Sequence, residues 1–74
     1  MLTHNKITYN PKILGGKPII KGTRISVEFI LELLASGMTG EEILIEYPHL
    51  KKADILACLQ HAALMVKREE LVMA

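Results

Sequence analysis

The pattern of apolar and polar positions changes period once along this 74-residue chain. As far as Thr23, apolar residues come in short runs cut by Asn, Pro and Gly; from Ser26 onward they recur at helical spacing. Ile7-Thr8-Tyr9 reads as a short strand closed by the turn pair Asn10-Pro11. Pro18-Ile19-Ile20 is β-branched and lies between the glycine bends Gly15-Gly16 and Gly22, which suits a small edge strand. The two segments are expected to pair. A two-stranded ribbon is barely stable alone in water, so it needs helices or another subunit behind it.

Three helices follow. Ser26 is a good N-cap and Glu28 suits the positive end of the helix dipole, so the first helix is expected over Val27 to Ser36, with Gly37 ending it. Val27, Ile30, Leu31 and Leu34 form one apolar stripe, and Phe29 with Leu33 forms a second beside it. Thr39 and Glu42 make a capping box for the second helix, and Met38 with Ile43 makes the hydrophobic staple across it. Ile43, Leu44 and Tyr47 supply its buried face, and it must stop before Pro48. The third helix is expected from about Lys52 to Glu70, with Ile55, Leu59, Ala62, Ala63 and Val66 as its core stripe. Leu56 and Met65 lie off that stripe and imply a second covered face. Asp54 is well placed at the start of this helix, but the cap itself falls on Lys51, which cannot accept an amide bond.

The expected fold is therefore mainly α. It is a single domain over 1–74: a frayed stretch 1–6, strands and turns over 7–25 forming a short N-terminal β-hairpin, three helices over 26–70, and a tail over 71–74. Helix two, the Pro48-His49-Leu50 turn and helix three have helix-turn-helix proportions.

Composition sharpens this picture. Half of the residues are hydrophobic, yet there is no Trp, one Phe and two Tyr, so the core is aliphatic. A domain this small buries only about three-fifths of the surface its unfolded chain exposes, and its surplus aliphatic area favours a partner or a second copy. The single Cys58 excludes an internal disulfide framework, which fits a reducing compartment. No run approaches membrane-spanning length and Met1 to Lys6 lacks the pattern of a signal peptide, so a cytoplasmic location is expected. A formal charge of +1 argues against strong non-specific polyanion binding.

The candidate chemistry is sparse. A Walker loop needs a glycine five positions before its Gly-Lys pair and Ser or Thr after it, and here those places hold Pro11 and Pro18. Cys58 and His61 share a Cys-x-x-His spacing, but His4 and His49 complete no zinc set, so no metal or cofactor is expected. No nucleophile and base are recognisable together, which argues against an enzyme. In a groove-binding reading Lys51 and Lys52 lead the third helix toward phosphates or base edges, although Gln60 alone offers bidentate base contact. Lys17, Lys21 and Arg24 cluster around the second strand and suit an acidic partner or a phosphate backbone. Arg24, just ahead of a capped helix, is well positioned for a carboxylate, whether on a partner or internally on Glu28 or Glu32.

Gly16-Lys17-Pro18, Gly22-Thr23-Arg24-Ile25 with Val27, the Gly37 stop, Glu42-Ile43-Leu44 and Tyr47-Pro48-His49-Leu50 together resemble the domain of unknown function 433 family, over about Ile7 to Ala63. The chain departs from that pattern at Lys51, where Ser or Thr is expected. The resemblance implies a helix-turn-helix-like, homeodomain-like fold, usually dimeric, and an antitoxin role toward a small nuclease-like toxin. No catalytic residues belong to the pattern. The expectation is then a homodimeric antitoxin-like protein whose partner contacts are Pro18, Ile19, Ile20, Arg24, Phe29 and Leu33. Lys17, Lys21, Arg24, Lys51 and Lys52 are the candidate nucleic-acid contacts. The alternative is a stand-alone helix-turn-helix regulator of transcription, and a third reading is a structural interaction module.

Overall fold

The computed structural model describes residues 6–73, and side chains to residue 67. Two strands, β1 (Ile7–Tyr9) and β2 (Pro18–Ile20), precede three helices, α1 (Val27–Ala35), α2 (Gly40–Glu46) and α3 (Lys52–Met73). The strands pair antiparallel with Ile7 opposite Ile20, Thr8 opposite Ile19 and Tyr9 opposite Pro18. Between them Asn10 opens the turn as its sequence suggests: its side-chain oxygen accepts from the Lys12 N–H and its carbonyl from the Ile13 N–H, both at 2.9 Å. The chain then passes through three successive positive φ angles, Leu14 at 51°, Gly15 at 67° and Gly16 at 85°. Glycine is suited to two of these three positions because it has no Cβ to clash.

The second bend, at Gly22 (φ 82°), returns the chain along the far side of β2. The Thr23 hydroxyl donates to the Ile20 carbonyl at 2.8 Å and accepts from the Ile25 N–H at 2.9 Å. The Ile20 N–H donates to the Ile25 carbonyl at 2.9 Å, and Ile19 forms a bridge with Ser26. This corrects the expectation that Pro18 to Ile20 offers a free strand edge. β2 is flanked on both sides, because the tight Gly22 bend leaves the following extended residues lying against it.

Helix boundaries follow local chemistry. Ser26 Oγ accepts from the Phe29 N–H at 2.9 Å. The far end of α1 closes with the Gly37 N–H donating to Leu34 and the Met38 N–H to Leu33, a Schellman pair that needs Gly37 at φ 105°. Ser36 is thus the cap rather than the last helical residue. The Thr39–Glu42 capping box is complete, with bonds of 3.1 Å and 2.8 Å. α3 continues to Met73, which corrects the expected tail from Leu71: nothing after Glu70 is Gly or Pro, so no residue stops the helix. The expected fraying of residues 1–6 lies outside the described residues except at Lys6. Lys6 is held, its carbonyl accepting from the Lys21 N–H at 2.8 Å and its ammonium lying 3.7 Å from Asp54.

The core joins Ile20, Val27, Ile30, Ile43, Leu50, Ile55 and Cys58. It draws on β2 and all three helices, so the hairpin does lean on the helices, as its size requires. On α3 the expected stripe is displaced. Ile55, Ala57 and Cys58 are buried and Ala62 half-buried, whereas Leu59, Ala63 and Val66 are exposed. The buried face is turned by about a quarter of the helix circumference from the one expected at 100° per residue. Cys58 joins Val27 and Ile30 of α1 in the core, and half-buried Ala62 lines the groove that α1 also walls; such small side chains let the helices come close. No helix of the described residues is long and apolar enough to cross a membrane.

Candidate partner-binding surfaces

The cations expected near β2 are separated by their contacts. Lys17 Nζ donates to Glu28 Oε1 at 2.9 Å, an exposed pair that raises the Lys17 pKa through that hydrogen bond and the Glu28 charge. This corrects the idea of Glu28 as an internal partner of Arg24: Lys17 has it. Among the described residues Arg24 makes no ion pair, and it lines a shallow depression of about 530 Å³ with Tyr9, Asn10, Pro11 and Thr23. Lys17 lines a different depression, with Leu14, Phe29 and Glu32. Lys21 is exposed. Lys51 and Lys52 are exposed at the head of α3, where the Lys51 N–H donates to Asp54 Oδ2 at 2.8 Å.

The expected apolar contacts divide in the same way. Ile19 and Ile20 are each 2 % exposed, so their side chains are committed to this chain's own interior. Pro18 is half-buried at the edge of a groove. Leu33 is half-buried at the Schellman turn, and Phe29, on the margin of exposure, packs edge-on against Tyr47 at 5.9 Å between ring centroids. That groove runs between α1 and α3, encloses about 720 Å³ and is lined by Tyr9, Pro18, Leu31, Ala35, Met65 and Val66, with Glu28 and Glu32 also on its walls. At one side the His61 ring tilts against Tyr9 with centroids 6.3 Å apart, so His61 is half-buried rather than a plain surface residue.

Two exposed features lie outside the expected contacts. Ile45 is 78 % exposed on α2, two residues from buried Ile43 and so on the opposite side of the helix; that spacing was the available signal. On α3, Leu56, Leu59, Ala63 and Val66 are all exposed and fall on one face. This helix occupies the place of the recognition helix in a helix-turn-helix. A base-reading face wants Arg, Asn or Gln, and here its centre is aliphatic, with Lys52, Gln60 and Lys67 around it.

Among the described residues no three of His, Cys, Asp and Glu gather where they could hold a metal ion. Cys58 is fully buried, and burial, with a smaller contribution from the Asp54 charge, pushes its pKa from 9.0 up to about 11. It is a protonated thiol at neutral pH rather than an activated nucleophile.

Comparison with known proteins agrees with this architecture. The family model described as "Protein of unknown function (DUF433)" matches residues 7–62. The "Uncharacterized protein y4eO" of Sinorhizobium fredii is 39 % identical over 44 residues, covering 60 % of this chain; the chain spans a fifth (20 %) of that relative's length. A crystal structure of a DUF433 member from Anabaena variabilis superposes with a TM-score of 0.79 at 29 % identity, covering 89 % of this chain and 68 % of that one.

Proposed function

The chain belongs to the DUF433 family, and from that premise we propose that it is a small dimeric binding protein of antitoxin type, holding a nuclease-like toxin partner inactive. The observation that carries this reading is the aliphatic outward face of α3. Leu56 and Leu59 are 49 % and 43 % exposed where a DNA reader would place bidentate donors. Apolar area of this kind is stabilised by a protein surface, and the α1–α3 groove beside it extends the same character. The toxin partner takes the groove through Tyr9, Leu31 and Met65, with Phe29 and Arg24 as outlying contacts. Ile19 and Ile20 act beneath that surface, shaping it. The protein acts in the cytoplasm.

The second reading, a stand-alone DNA-binding regulator, is favoured by Lys51 and Lys52 at the head of α3. A salt titration separates the two. Each phosphate neutralised adds about 0.9 to the slope of log affinity against log salt, so binding to the chain's own upstream DNA with a slope near 2 or more supports the regulator. The antitoxin reading is tested by co-expressing the chain with the product of the adjoining gene. The expected result is co-purification and relief of that product's nuclease toxicity; undiminished toxicity with both proteins soluble overturns it. Light scattering at micromolar concentration reads the dimer, and a compact monomer removes that part of the proposal.

A further inference from the structure

α3 carries an apolar seam whose spacing reads the same in both directions. Leu56, Leu59, Ala63 and Val66 are separated by three, four and three residues, the a/d spacing of a coiled coil. At 100° per residue they fall within an arc of about 80°, turned away from Cys58 and Ala57, which face the core. All four are exposed, with Val66 at 56 %, so none of the described residues covers them.

Resting on the dimeric reading above, we infer that α3 packs antiparallel against α3 of a second copy of this chain, with the two-fold axis passing beside position 61. That register sets Leu56 against the partner's Val66 and Leu59 against the partner's Ala63, and the symmetry repeats both layers. Each layer joins a larger residue to a smaller one, which lets the helices approach closely. The same register, one step further out, sets position 52, a lysine, against position 70, a glutamate in the sequence. Opposite charges therefore close both ends of the seam, and the helix dipoles run in opposition. A parallel pairing sets lysine against lysine and glutamate against glutamate, so charge selects the antiparallel arrangement. α3 is 22 residues long and continuous through all of these positions. The second copy takes Val66, which also lines the α1–α3 groove, and leaves Tyr9, Leu31 and Met65 of that groove open to a different protein.

Disulfide trapping tests the register. In a Cys58→Ala background, Leu59→Cys and Ala63→Cys chains of different tag lengths are oxidised separately and mixed. Crosslinking confined to the mixture supports antiparallel packing; crosslinking of each variant to itself overturns it. Leu59→Glu is expected to raise the dimer dissociation constant by at least about a hundredfold, since the interface loses two buried leucines. Its circular dichroism and cooperative unfolding should persist, because Leu59 is outside the core. Lys52→Glu weakens the dimer, and adding Glu70→Lys restores it. A folded Leu59→Glu chain that remains as tight a dimer as the natural chain overturns the seam while leaving the dimeric reading intact. A natural chain that is monomeric overturns both.

Discussion

Lys51→Ser should stabilise the protein, and the structure sets how much. At the head of α3 the Lys51 N–H already donates to Asp54 Oδ2 at 2.8 Å, which is one half of a capping box. The other half is missing because a lysine side chain has no oxygen to accept from the Asp54 amide. That amide instead donates to the Lys51 carbonyl at 2.9 Å, a tight-turn bond that satisfies it in part. A full cap is worth about 0.5–2 kcal/mol, and the bond already present places the gain at the lower end, about 0.5 kcal/mol. Removing a cation from the positive end of the helix dipole adds about 0.3 kcal/mol. The expected total is between about 0.5 and 1 kcal/mol, or a rise of about 2 to 8 °C in Tm for a domain of this size. Urea unfolding at one fixed protein concentration measures it, because a dimer's apparent stability varies with concentration. Lys51→Ala separates the causes: it removes the charge without supplying an acceptor and should recover only the smaller part. A Lys51→Ser midpoint equal to or below that of Lys51→Ala refutes the capping argument.

Two glycines should respond to alanine with opposite signs. Gly22→Ala has open space around the new Cβ but must hold φ at +82°, so it should cost about 1–2 kcal/mol; Gly40→Ala meets Ile55 Cδ1 at an ordinary 3.8 Å in a helix and should stabilise by up to about 1 kcal/mol. Equal shifts in their urea midpoints would refute the backbone argument at Gly22. Cys58 should give a pH dependence, because its pKa is raised on folding from 9.0 to about 11. The folded chain keeps the proton where the unfolded chain has lost it, so this stabilisation is full below pH 9 and lost as pH rises to 11, amounting to about 2 to 3 kcal/mol. Unfolding free energies of the natural chain and Cys58→Ala should converge or cross over that window; parallel pH profiles would contradict the buried-thiol reading.

Most of the fold was legible because its signals are local. Ser26 reaches the Phe29 amide and Thr39 reaches Glu42 within one turn, so these caps are decided by residues three apart. Gly37 at φ 105° and the Asn10 turn act over equally short distances. The candidate surface was only partly legible. The second apolar stripe of α1 marks Phe29 as surplus apolar area, whereas the exposure of Ile45 depends on which side of α2 meets the core. Nearness in sequence points Arg24 toward Glu28, but that carboxylate pairs with Lys17, eleven residues from it in sequence, a separation no spacing rule covers.

The sequence by itself determined where the strands and helices form, because caps, bends and periodicity are governed by neighbours along the chain. Periodicity also marked the inner faces of α1 and α2 through Val27, Ile30 and Ile43, but on α3 tertiary structure alone decided which side is inside. α3 has apolar residues around most of its circumference, so periodicity permits more than one buried face; packing against α1 and α2 buried Ile55, Ala57 and Cys58 and left Leu56, Leu59, Ala63 and Val66 outside. In the same way the Gly22 bend was readable, but the occupation of β2's second edge by Ile25 and Ser26 came from the path the chain takes after it. The surface left for partners is what remains after those long-range choices, and no local pattern encodes a remainder.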